Sequence, residues 1–241
     1  MGLVQPSSTG ARVVARPERA EAHHIYDYLH LAAVLGAKSE PLEPKLTVAD
    51  AEAQQVQTTW LSRLRGQRES GGSGPPMTML GLNPGAEYGP AKRWPAENFA
   101  AVAREVSGRL KNSVWFVFGG ASERALGESV ARLAGENVFA VAGKTSLREF
   151  MGLLKICRVL VTNDTGPMHV AAALGTPVVV PFGSTSPELT GPGLPGDRRH
   201  RLLWAGAPCS PCFRRECPID FRCMKGISVE SVVRGVLEVL G

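Results

Sequence analysis

Lys92 and Arg93 close a stretch reading Asn83-Pro84-Gly85-Ala86-Glu87-Tyr88-Gly89-Pro90-Ala91-Lys92-Arg93-Trp94-Pro95, directly after the apolar run 78–82. Glycines at 85 and 89 let a backbone come close to a ligand, and two cations just ahead of a helix start at Pro95 suit a phosphate. A second stretch, Asn163-Asp164-Thr165-Gly166-Pro167-Met168-His169, follows the apolar run 158–162 and enters a helix over 170–174 that stops at Gly175. Asp164 or Thr165 is placed to cap that helix, whose free amides and positive dipole end would face a diphosphate. His169, one turn in, is a donor for a phosphate or ribose oxygen. Two shorter loops, Phe118-Gly119-Gly120-Ala121-Ser122-Glu123 and Gly143-Lys144-Thr145-Ser146, add Glu123 as an acceptor for a ribose hydroxyl. Each loop alone also reads as an ordinary turn or helix cap. Four of them at the ends of successive strands point to a nucleotide.

Four of the five cysteines fall in Cys209-Ser210-Pro211-Cys212-Phe213-Arg214-Arg215-Glu216-Cys217-Pro218-Ile219-Asp220-Phe221-Arg222-Cys223, with two, four and five residues between them. Zinc, reduced thiols and a disulfide all fit four cysteines in so short a span. The spacing is not that of two Cys-x2-Cys knuckles, and no metal ligand is assigned. Cys157 stands apart in an apolar helical pattern and is expected in the core.

The elements that would carry these loops form a repeating pattern. Strands are expected at 78–82, 114–118, 137–141, 158–162, 177–182 and 201–204, alternating with amphipathic helices of about 12 to 16 residues, which predicts a parallel sheet covered on both faces. One helix starts at Pro95 with Phe99, Val102, Val106 and Leu110 inward; another starts at Ser146, with Glu149 completing a capping box; a last one spans 229–240. Residues 77–241 therefore read as one α/β domain, a Rossmann-like doubly wound parallel sheet. The run Ser70-Gly71-Gly72-Ser73-Gly74-Pro75-Pro76 reads as a linker at 70–76. Residues 1–69 give a loose tail over the first sixteen residues and two helices, 17–35 and 47–65, with no sheet to cover. In the second helix, Thr47 and Asp50 make a capping pattern and Val56, Trp60 and Leu64 share a face.

The composition of the 241 residues, 44% hydrophobic and 20% charged, is that of a globular chain able to bury a core. No apolar window has the length of a membrane span and no leader stands at the start, so a cytoplasmic protein is expected. The net charge of +5 favours an acidic or phosphorylated partner, but the basic residues form no run and no recognition helix, so nucleic acid is not expected.

The stretch 83–95, the stretch 161–175 and Pro181-Phe182-Gly183-Ser184-Thr185-Ser186-Pro187 together resemble the lipopolysaccharide heptosyltransferases, nearest the heptosyltransferase II branch. The resemblance covers nearly all of 77–241 and extends weakly back through His23-His24-Ile25-Tyr26-Asp27-Tyr28-Leu29. It implies a GT-B glycosyltransferase, of which 77–241 would be the C-terminal, donor-binding domain, preceded by a partial helical N-terminal segment. It implies transfer of L-glycero-D-manno-heptose from ADP-heptose to the lipopolysaccharide inner core, with no separate cofactor, and peripheral contact with the inner membrane face. Lys92 would meet the donor phosphates; Asp164, Thr165, Gly166 and His169 would hold the diphosphate and sugar; Ala86, Glu123 and Thr145 would line the nucleotide pocket. The family's N-terminal strand, glycine loop and Asp general base have no match in 1–69, so a catalytic base is not assigned; an N-terminally truncated product, a mis-called start, and half of a split enzyme whose partner chain supplies that domain stay open. Two other readings stay open: a catalytically silent nucleotide-binding module, and a GT-B transferase using another sugar nucleotide.

Overall fold

The structure, a computed structural model, describes residues 12–13, 23–38, 40–65 and 77–241. The expected linker at 70–76 and the first residues of the expected helix 17–35 lie outside these.

Among the described residues one sheet has seven strands: β1 (Arg12–Val13), β2 (Thr78–Asn83), β3 (Ser113–Val117), β4 (Val138–Ala140), β5 (Leu160–Thr162), β6 (Val178–Phe182) and β7 (Arg201–Trp204). Their order is β1-β7-β6-β5-β2-β3-β4. Strands β2 to β7 are mutually parallel, and β1 pairs antiparallel with the outer edge of β7, Arg12 opposite Trp204. At Arg12–Val13 strand β1 replaces the expected loose tail; the rest of that tail lies outside the described residues. The chain runs outward from β2 to β3 and β4, then returns to β5 beside β2 and runs outward the other way. Strand order therefore reverses between β2 and β5, and in an open parallel sheet the ligand crevice lies beyond the carboxyl ends at such a point.

The helices are α1 (Ile25–Val34), α2 (Asp50–Arg65), α3 (Ala96–Arg109), α4 (Arg124–Ala134), α5 (Leu147–Ile156), α6 (Gly166–Ala173), α7 (Pro187–Thr190), α8 (Arg222–Lys225) and α9 (Val229–Leu240). The strand segments are nearly continuous apolar runs because both faces are covered. On one face Leu80, Leu82, Trp115, Val117, Val161 and Val179 pack with α3, α4 and α9. On the other, Met79, Phe116, Leu160, Val178 and Val180 pack with α2, α5 and α6. The predicted inward positions of α3 hold: Phe99, Val102 and Val106 are fully buried, each contributing about 1.5–3 kcal/mol, and Leu110 follows as the C-terminal cap. Cys157 is buried as expected. Ser146 Oγ accepts the Glu149 amide at 3.2 Å while the Glu149 carboxylate accepts the Ser146 amide at 2.9 Å, the expected capping box on α5.

Helix α2 starts at Asp50 and does have a sheet to cover. Ala53 and Trp60 are buried in the second core, and a β-carbon on Gly152 of α5 would stand 2.9 Å from Val56, so the missing side chain at 152 is what lets the two helices meet. Arg148 adds a two-pronged ion pair to Glu52 at 2.5 and 2.7 Å. Helix α1 is fastened at its start, where His24 N–H donates to Leu189 O at 3.0 Å and His23 Nε2–H to Gly191 O at 3.0 Å.

Candidate functional site

Loops from β2, β3, β4, β5 and β6 meet at the carboxyl end of the sheet. The side chain that joins the two central loops is Asn163. Its Nδ2–H donates to Pro84 O at 2.8 Å and Gly85 O at 3.2 Å, and its Oδ1 accepts Trp94 N–H at 3.0 Å. Buried at the strand-order reversal, this amide fixes the β2 loop against the β5 loop.

Asp164 follows. Lys92 Nζ, at the end of the short 3-10 turn Pro90–Lys92, lies 2.8 Å from Asp164 Oδ2, with side-chain exposures of 12% and 3%. The same oxygen accepts Thr185 O–H at 2.5 Å and Thr190 O–H at 3.1 Å. Three donors on one oxygen fix the carboxylate plane. The Lys92 ammonium also lies 4.8 Å from the centre of the Tyr88 ring, an electrostatically favourable position. Arg93, read beside Lys92 as a second phosphate cation, is instead turned back: its Nε–H and Nη2–H donate to Ala86 O at 3.2 and 3.0 Å.

Beside this pair opens a cavity of about 330 Å³ whose wall includes Asn83, Gly85, Glu123, Thr145, Phe150 and Thr165. Glu123 crosses it, its carboxylate accepting Gly120 N–H at 2.9 Å and lying over Gly85, where a β-carbon would fall 1.7 Å from Glu123 Oε1. A side chain at 85 would have to displace the end of the flexible Glu123 side chain, and no left-handed backbone calls for glycine there. Helix α6 begins at Gly166, four residues earlier than expected. Thr165 sits at the cap position in extended backbone without a side-chain cap bond, and Asp164 is held by Lys92, so the expected side-chain cap is made by neither residue. Without a side-chain cap the Gly166 amide and the positive end of α6 stay available to an anion, while Pro167 has no N–H and Met168 N–H donates to Thr165 O at 3.0 Å. The His169 ring stands on the first turn of α6; the protein around it lowers its pKa, Asp164 opposes, and His23 and Lys92 add to the lowering.

The structure thus places the sequence-predicted residues in two adjoining groups. Glu123, Thr145 and Thr165 line the cavity; Lys92 and Asp164 form the ion pair beside it, with Gly166 and His169 on the helix start. Ala86 is buried and contributes its carbonyl to Arg93. Sequence reading missed Asn163, Thr185 and Thr190 as holders of the loops and the carboxylate; the run Ser184-Thr185-Ser186, ending a buried strand, was the available signal for the last group. Cys209 to Cys223 are free thiols, and among the described residues no three metal-ligating side chains converge on one point. No helix among the described residues is long and apolar enough to cross a membrane.

Lipooligosaccharide heptosyltransferase 2 of Haemophilus influenzae is 39% identical over 155 residues, covering 63% of this chain and 42% of that protein. The protein of the same name from Campylobacter jejuni is 32% identical over 163 residues, covering 66% of this chain and 50% of that protein. The solved structure of E. coli ADP-heptose lps heptosyltransferase II superposes with a TM-score of 0.64 at 26% identity, over 84% of this chain and 56% of that one. The chain spans about half the length of the curated relatives it matches. Residues 3–221 match the model of glycosyltransferase family 9 (heptosyltransferase), and with both loops of the crevice inside that match, the chain belongs to this family.

Proposed function

We propose that this chain supplies the donor-binding half of a heptosyltransferase that moves L-glycero-D-manno-heptose from ADP-heptose onto the lipopolysaccharide inner core. The observation that carries the reading is the Lys92–Asp164 pair at the strand-order reversal, flanked on one side by the start of α6 and on the other by the 330 Å³ cavity. The cavity takes the nucleoside, with Glu123 and Thr145 toward the ribose and base. The diphosphate lies across the start of α6 and Lys92, and Asp164, Gly166 and His169 face the sugar. In the reaction an acceptor hydroxyl oxygen forms a bond to the anomeric carbon, the bond from that carbon to the phosphate oxygen breaks, and ADP leaves with the electron pair. Lys92 and the positive end of α6 stabilise the charge that develops on the leaving diphosphate. The hydroxyl proton goes to a base outside residues 77–241, carried by a partner segment or chain. The net charge of +5 suits an anionic acceptor met at the cytoplasmic face of the inner membrane.

Calorimetric titration with ADP, UDP and GDP tests the donor assignment. Selective binding of ADP that falls at least about tenfold in Lys92→Ala supports it, since that corresponds to about 1.4 kcal/mol of phosphate contact. Equal affinity for the three nucleotides, or an ADP affinity untouched by Lys92→Ala, refutes it.

A further inference from the structure

The cysteine-rich stretch after β7 has no role in the site as described so far, yet its backbone touches both loops that converge on Asp164. At one end it is fastened to the close of β6: Ser210 O–H donates to Gly183 O at 2.5 Å, and the amides of Cys212 and Phe213 both donate to Ser184 O, at 3.1 and 2.7 Å. At the other end it is fastened to the β2 loop. Arg215 O accepts Ala91 N–H at 3.0 Å, Arg215 Nε–H donates to Tyr88 O at 2.6 Å, and Tyr88 O–H donates to Phe213 O at 2.7 Å. The two backbones meet at Gly89, whose φ of 148° favours glycine and where a β-carbon would lie 2.5 Å from Arg215 O. The Arg215 guanidinium lies 5.4 Å from the centre of the Tyr88 ring, the same ring that lies 4.8 Å from Lys92 Nζ.

These contacts have a common consequence. Ser184 precedes Thr185, and Ala91 precedes Lys92; Thr185 and Lys92 donate to the same Asp164 oxygen. Residues 210–215 therefore span the two loops one residue away from each donor. We infer that this segment is a strap that sets the spacing of the donor-phosphate loop, and that Arg215 is the positioning residue through which it holds Tyr88 and Lys92. The inference rests on the donor reading above for its ligand, but its mechanical part does not. Residues 211–216 are exposed, so polar contacts rather than apolar burial hold the strap, and such segments open locally at low cost.

The test uses the full chain and two readouts, amide exchange of residues 86–92 followed by mass spectrometry, and calorimetric ADP affinity. Arg215→Ala is expected to speed exchange in 86–92 and to weaken ADP about tenfold, the scale of losing a hydrogen-bonded charged contact. Arg215→Lys, which keeps the charge over the ring without the guanidinium fork, should restore part of both. Tyr88→Phe, which keeps the ring and loses the hydroxyl, should lie between wild type and Arg215→Ala. Unchanged exchange in 86–92 for Arg215→Ala overturns the strap, as does unchanged ADP affinity in that variant when the wild type binds. Faster exchange in a chain whose wild type binds no ADP supports the strap and sinks the donor reading alone.

Discussion

A double-mutant cycle on Lys92 and Asp164 gives the most direct check on the site. At 2.8 Å and an effective dielectric of about 20, the pair attracts by about 6 kcal/mol before desolvation is counted. With side-chain exposures of 12% and 3%, both groups have lost most of their water, which removes much of that gain. Lys92→Met leaves the buried carboxylate with only the Thr185 and Thr190 hydroxyls, and should cost about 3 kcal/mol of unfolding free energy, the lower end for breaking a buried pair, since Lys92 keeps some solvent. Asp164→Asn leaves the ammonium over Tyr88 without its counter-charge and should cost about 2 kcal/mol. The double variant holds no unpaired charge and should cost less than the sum, giving an interaction energy of about 2 kcal/mol. Urea unfolding of the four proteins at neutral pH measures it. An interaction energy below about 0.5 kcal/mol would place both charges in water and refute the buried pair on which the site is built.

Two further perturbations test other parts of the argument. Gly85→Ala must displace the Glu123 carboxylate from its place over residue 85 and from Gly120 N–H, a loss of about 1 kcal/mol at a flexible side chain; thermal unfolding should show that loss, and ADP affinity should fall. In Glu123→Ala the same glycine substitution should cost nothing further, and a full additive cost there refutes the clash. The second concerns pH. Burial holds the His200 pKa down at about 4, against the ordinary 6.5, with Asp197 and Glu43 opposing and Arg199 reinforcing the shift. Between those values the unfolded chain binds the proton and the folded one does not, so stability rises with pH and drops by up to about 3 kcal/mol on acidification from 6.5 to 4. Asn in place of His200 retains an acceptor for the Val178 amide and should flatten that slope in urea unfolding; an unchanged slope overturns the assignment.

The parts of the fold legible in the sequence are those whose cause is local. Strands β2, β3 and β6 announce themselves as apolar runs because each is covered on both faces, and the Ser146 box is written within four residues. Strand β1 is two residues long and owes its existence to an edge of β7 that lies 190 residues further on, so no periodicity marks it. Helix α2 shows its apolar stripe, but its partner is the absence of a side chain at Gly152, which a sequence records only as one glycine among 27. Helix α6 starts at Gly166 and not at 170, since at a helix start the missing amide of Pro167 costs nothing.

The same division runs through the site. Lys92 and Asp164 could be named from their loops, since cations and helix starts are local signals for phosphate. That they neutralise each other could not, because the pairing is made by Asn163 drawing the β2 loop against the β5 loop across the strand-order reversal. The pairing changes what the site asks of its ligand. On the proposed donor reading, a diphosphate beside an unpaired lysine would be drawn by a full charge, whereas one at Lys92 would share the ammonium with a carboxylate that Lys92, Thr185 and Thr190 already hold. Affinity then depends on how accurately Lys92 is aimed, more than on its charge. Accurate aim requires the loop carrying Lys92 to be held on its exposed side as well as its buried one, and the exposed side is where Arg215 and the Tyr88 ring meet it.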